Sequence, residues 1–132
     1  MLENIQKDSL DLLRALIRIQ SFSKEEDRTA NLIAQFLEER GVKIDRKLNN
    51  VWAYNLHFDE SKPTLLLNSH HDTVKPNSGY TRDPYDAAIE GDKLFGLGSN
   101  DAGGCLVSLI GTFLYYYAQS DLKYNICFQY LR

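Results

Sequence analysis

The chain has 132 residues, 43% of them apolar, with 15 basic and 18 acidic residues and a formal net charge of -3. That length fits one domain with a real core, and the charge balance gives no reason to expect nucleic acid or an anionic membrane as a partner. No apolar run approaches the roughly 20 residues that span a bilayer, and charges scattered through the first nineteen positions mark a helix rather than a secretion signal.

Ile5, Leu12, Leu13, Leu16 and Ile19 recur at helical spacing and predict a first helix over 3–19. Ser23 and Glu26 fit a capping box opening a second helix. Its apolar stripe is Leu32, Ile33, Phe36 and Leu37, and Gly41 sits where a left-handed cap would end it. Val42, Ile44 and Arg46 then begin a strand. Leu48-Asn49-Asn50 is turn-like, with asparagines that tolerate tight-turn dihedrals, and 51–58 returns as the second arm of a hairpin with Trp52, Tyr54 and Leu56 on one side. Residues 64–68 are a short apolar run, the pattern of a buried central strand. Residues 71–85 read as a long loop, 87–89 and 93–95 as strand pieces around Gly91-Asp92, 103–119 as a third helix, and 124–131 as a last strand. This alternation predicts a single layered α/β domain. Cys105 and Cys127 lie in apolar stretches and read as two buried free thiols, which favours a reducing, cytoplasmic compartment.

Two short polar signals carry the chemistry: LLLNSHHDTV at 65–74 and LFGLGSNDAGG at 94–104. His70, His71 and Asp72 follow directly on an apolar strand, and ligand crevices of α/β sheets lie outside the carboxyl ends of strands. In His70-x-Asp72 an extended chain points the first and third residues the same way. That geometry suits a metal-ligating imidazole and a carboxylate holding its other ring nitrogen. The competing reading is a structural histidine beside a loop-capping aspartate. His71 faces the other way and either shapes the site or sits in its wall. Asp101 lies in a glycine-rich approach to the third helix. It either caps that helix, a role Asn100 could also fill, or bridges two cations as carboxylates do in two-metal hydrolases. Gly103 and Gly104 allow close backbone approach there. The glycine spacing fits neither a dinucleotide fingerprint nor a phosphate loop. Ser99 has Leu97 and Asp101 where a serine nucleophile elbow needs glycines.

In combination these motifs resemble the N-terminal part of the zinc-dependent exopeptidases, the family that includes acetylornithine deacetylase, succinyl-diaminopimelate desuccinylase, aminoacylase and the glutamate-releasing carboxypeptidases. LLLNSHHD is similar to the family's strand ending in His-x-Asp, and GLGSNDAGG to its turn ending in Gly-x-x-Asp before two glycines. DPYDAAIEGDKLFGLG and SFSKEE also look like family stretches. The resemblance implies a three-layer α/β/α catalytic domain with a mixed sheet, of which residues 1–132 form the N-terminal part without the family's dimerisation domain. It implies two divalent ions, zinc with cobalt as the alternative. His70 would bind one ion, Asp72 would orient His70, and Asp101 would bridge both, with Asp101-Ala102 a candidate cis peptide. Leu97 stands where the family commonly has arginine, and Ala102 directly precedes the glycines. These departures resemble the acetylornithine deacetylase-like subgroup.

The implied reaction is amide hydrolysis of an N-acyl amino acid, foremost acetylornithine to acetate and ornithine. Di- or tripeptide cleavage and succinyl-diaminopimelate desuccinylation are the alternatives, with a small-molecule substrate in each case. The family's general base, the first glutamate of a Glu-Glu pair after the strand that here is YNICFQYLR, has no counterpart in the sequence. The expectation for the isolated chain is therefore inactivity, or a silent structural role, with self-association through an exposed sheet edge.

Overall fold

The computed structural model describes residues 1–131. Helix α1 (Leu2–Ile17) buries Leu12, Leu13, Leu16 and Ile17, and α2 (Asp27–Glu38) buries Thr29, Ala30, Ile33, Ala34 and Leu37. Gly41 ends the second helical segment with φ of 75° while the Val42 amide donates back to the Leu37 carbonyl at 3.1 Å, the left-handed termination expected of it. Strands β1 (Asp45–Lys47) and β2 (Asn50–Tyr54) form the antiparallel hairpin. Its positive φ falls on Leu48 (57°) rather than on an asparagine. Strand β3 (Thr64–His70) leads into the long loop, and β4 (Ile89–Glu90) and β5 (Lys93–Leu94) pair separately around Gly91. A π-type turn over Ser99–Gly103 enters α3 (Gly104–Tyr116), and β6 (Asn125–Leu131) completes the main sheet.

The sheet order is β1-β2-β6-β3, with β6 antiparallel to β2 and parallel to β3. This corrects the central place expected of 64–68, because β3 is an edge strand. Leu65 and Leu66 are 54% and 51% exposed, whereas Ile126, Cys127, Phe128 and Tyr130 of β6 are buried. The continuous leucine run suggested burial on both faces. The strand that fills the centre is instead the one interrupted by Gln129.

One face of the sheet carries Val51, Ala53, Ile126, Phe128 and Tyr130 into the core. Helices α2 and α3 cover it. The Tyr130 hydroxyl donates to the Ala30 carbonyl at 3.1 Å, and the Phe113 and Phe128 rings stand 5.8 Å apart. Helix α1 packs on α3. The opposite face presents Tyr54 and Leu66 half-exposed. Both cysteines are free, but only Cys127 is buried. Cys105 is exposed because Leu106, Val107 and Ile110 take the inward positions of α3.

Candidate metal centre

The capping box predicted at Ser23 and Glu26 does not form. Helix α2 starts at Asp27, with Glu26 as its cap residue and no side-chain cap hydrogen bond. Glu26 is fully buried, with neither carboxyl oxygen hydrogen-bonded. Ser23 is free for another use, and its hydroxyl donates to Oδ2 of Asp72.

That contact belongs to a seam holding the end of β3. The Thr73 amide donates to the Ser21 carbonyl at 2.8 Å, the Ser21 hydroxyl to the His71 carbonyl at 3.1 Å, and Phe22 bridges Thr73 in parallel. The strand's alternation then sends His70 and His71 to opposite sides. His70 turns into an open cleft. Its Nδ1 lies 3.2 Å from Asp72 Oδ1 and 3.3 Å from the Asp72 carbonyl, and its Nε2 lies 3.2 Å from Asp101 Oδ1. Ser23, His70, Asp72 and Asp101 line one and the same cleft.

His71 is a wall residue. It is buried, with Nδ1 2.7 Å from the Thr29 hydroxyl, Nε2 3.4 Å from the Asn49 carbonyl, and its ring edge-on to Tyr130 at 4.8 Å. Burial pushes its pKa below the ordinary histidine value, against upward pulls from the Asn49 carbonyl, Glu26 and Asp72.

Asp101 does not cap α3. The residue before that helix is Gly103, no side chain caps it, and Asp101 sits in non-helical backbone (φ -123°, ψ 95°) with its carboxylate 89% exposed toward His70. The Asp101-Ala102 peptide is cis. Two glycines set this entry. Gly98 has φ of 75° and lies against Thr73, and a Cβ on Gly103 would stand 2.7 Å from both the Gly98 carbonyl oxygen and Leu13 Cδ1.

An imidazole nitrogen and a carboxylate oxygen converging across an open cleft are donor types that zinc takes, and the Asp72 contact on Nδ1 suits a ligating histidine. A catalytic zinc site uses three protein ligands. Among the described residues no group of three or more His, Cys, Asp or Glu side chains could hold a metal ion. The three residues therefore fit part of such a site.

No protein-family model matches the chain. Curated relatives do. The chain is 29% identical over 127 residues to succinyl-diaminopimelate desuccinylase of Gluconobacter oxydans, covering 90% of this chain and 32% of that protein. It is 31% identical over 113 residues to acetylornithine deacetylase of Edwardsiella ictaluri, covering 76% and 30%. Among solved structures, the M20 family metallo-carboxypeptidase of Sulfolobus solfataricus matches with a TM-score of 0.71 and 27% identity over 92% of this chain and 30% of that one. Over the part that it matches, the chain is similar to members of the M20 metallopeptidase and amidohydrolase superfamily.

Its fold is the three-layer α/β/α domain with a mixed sheet of the M20 catalytic domains. A further M20 structure, a dinuclear metal-binding peptidase from Bacillus subtilis, shares that fold with a TM-score of 0.67 at 17% identity, covering 97% of this chain and 35% of that one. The chain spans about a third of the length of the curated relatives it matches. Succinyl-diaminopimelate desuccinylases recur among those relatives more often than acetylornithine deacetylases, so the acetylornithine-specific expectation is not singled out. No helix among the described residues is long and apolar enough to cross a membrane.

Proposed function

We propose that this chain forms the N-terminal part of the catalytic domain of a metal-dependent hydrolase acting on the amide bond of N-acyl amino acids or short peptides. N-Succinyl amino acids stand ahead of acetylornithine as substrates, because desuccinylases recur among the relatives. The observation that carries the proposal is the meeting of His70, Asp72 and Asp101 in one cleft, with both His70 ring nitrogens engaged.

In this reading His70 offers Nε2 as a ligand, Asp72 keeps the proton on Nδ1, and the Asp101 carboxylate reaches the same position with a second oxygen free to bridge. Two divalent ions, zinc or cobalt, would supply polarisation of the amide carbonyl and a nucleophilic water at neutral pH. The cleft beside Asp101 would receive a small-molecule substrate in a cytoplasmic setting. The test is zinc affinity by competition with a chromophoric chelator. His70→Ala and Asp101→Ala should each weaken binding at least about tenfold, and affinity equal to that of the unaltered chain in both would refute the assignment.

A second reading, a catalytically silent segment, draws support from the lack of a three-ligand group among the described residues. It applies to the isolated chain rather than to a complete domain.

A further inference from the structure

We infer that Ser23 is a positioning residue that fixes the Asp72 carboxylate and, through it, the ring of His70; this rests on the metal-centre reading above. The two oxygens of Asp72 are divided between two partners. Oδ1 faces His70 Nδ1 at 3.2 Å, and Oδ2 accepts the Ser23 hydroxyl. A carboxylate held at one oxygen only can still rotate about its terminal torsion, which is broad and roughly two-fold. Held at both, it presents one oxygen to the imidazole in one orientation. The serine-carboxylate bond is charge-assisted and among the stronger hydrogen bonds a side chain can make.

Three further observations place Ser23 there for this contact. Ser23 is outside the helix it was expected to cap, since α2 begins at Asp27 without a side-chain cap. The preceding residues are tied to 71–73 by the Ser21 and Phe22 contacts, so the register of Ser23 against Asp72 is fixed by backbone. Directly after it, Lys24 takes φ of 72°. A lysine enters that left-handed region only when its surroundings impose it. The chain thus turns away as soon as the hydroxyl has been delivered.

The Asp72 carbonyl, 3.3 Å from Nδ1, is itself a hydrogen-bond partner of the ring and does not depend on Ser23, so losing Ser23 should loosen the orientation without abolishing it.

The experiment measures zinc affinity of the 132-residue chain by chelator competition, with thermal melting followed alongside. Ser23→Ala should weaken zinc binding about tenfold, at the low end for partners behind a ligand, with an unchanged melting midpoint. Ser23→Thr, which keeps the hydroxyl, should restore affinity. In an Asp72→Ala background, Ser23→Ala should cost nothing further, as expected of two residues acting in one chain of contacts. The inference is overturned by wild-type affinity in Ser23→Ala, by a loss that Ser23→Thr does not rescue, by an equal loss in the Asp72→Ala background, or by a collapse in melting temperature. Equal zinc binding by the unaltered chain and His70→Ala would remove the metal-centre reading itself, and this inference with it. Loss in His70→Ala with none in Ser23→Ala would remove the inference alone.

Discussion

The Nε2 atom of His70 and the Oδ1 atom of Asp101 stand 3.2 Å apart, one at the end of a strand and the other in the irregular turn that enters a helix. Such a pair can share an ion, but it supplies only two of the donors a hydrolytic site requires. The isolated chain, with zinc or cobalt added, should therefore release no acyl group or amino acid at an enzyme-like rate. N-Succinyl-diaminopimelate, acetylornithine and a dipeptide are the substrates to assay. A missing acid-base group alone costs about 10²–10⁴ in rate. Turnover that disappears in His70→Ala would contradict this and show that the described residues suffice.

His71 should make stability depend on pH. Burial sets its folded-state pKa below the ordinary value of 6.5. Between those two values the unfolded chain holds a proton that the folded chain does not. Unfolding free energy is therefore fully present above about pH 6.5 and declines as the pH falls below it. Thermal melts from pH 7.5 to 5 should show that decline, with a shallower slope in His71→Asn. Parallel slopes would mean that another group carries the dependence.

Glu26 carries two buried carboxyl oxygens without hydrogen bonds. An apolar residue of similar shape removes that penalty, so Glu26→Met should be more stable by about 1–3 kcal/mol in denaturant titration. A destabilised variant would show that the carboxyl group contributes more to the core than its burial costs.

Leu66 lies on the open face of the edge strand, half-exposed, and β3 has no strand on its outer side among the described residues. Such edges pair with other chains unless a charge interrupts them. The chain should self-associate in light scattering, and Leu66→Lys should shift it toward monomer. A concentration-independent monomer would refute the expectation.

Much of this molecule was legible in the residues. Helical spacing located three helices, Gly41 marked the end of the second, and the two polar signals named the three side chains that meet in the cleft. Three features were not legible, each for a physical reason. The leucine run in β3 reports apolar character, not which neighbours cover it, so edge and centre exchanged places with β6. Ser23 and Glu26 satisfy the capping spacing, yet tertiary contacts outbid the local bond: the hydroxyl goes to Asp72, and the glutamate is drawn into the core. For Asp101, residue type left the helix cap and the cleft as equal alternatives, and only the non-helical turn before α3 decides between them.

The position of β6 sets an order of events in the cell. Its partners β2 and β3 have both left the ribosome before it is made. Thr64 waits for Asn125, and Val51 for Tyr130. Each pairing closes a loop of about sixty residues or more, a separation that slows folding. Until β6 emerges, the β1–β2 hairpin and β3 have no strand to join them, and His70 has no sheet to stand on. A nascent chain at that stage exposes the leucines of β3, which makes this interval of synthesis the one in which a chaperone would find most to hold.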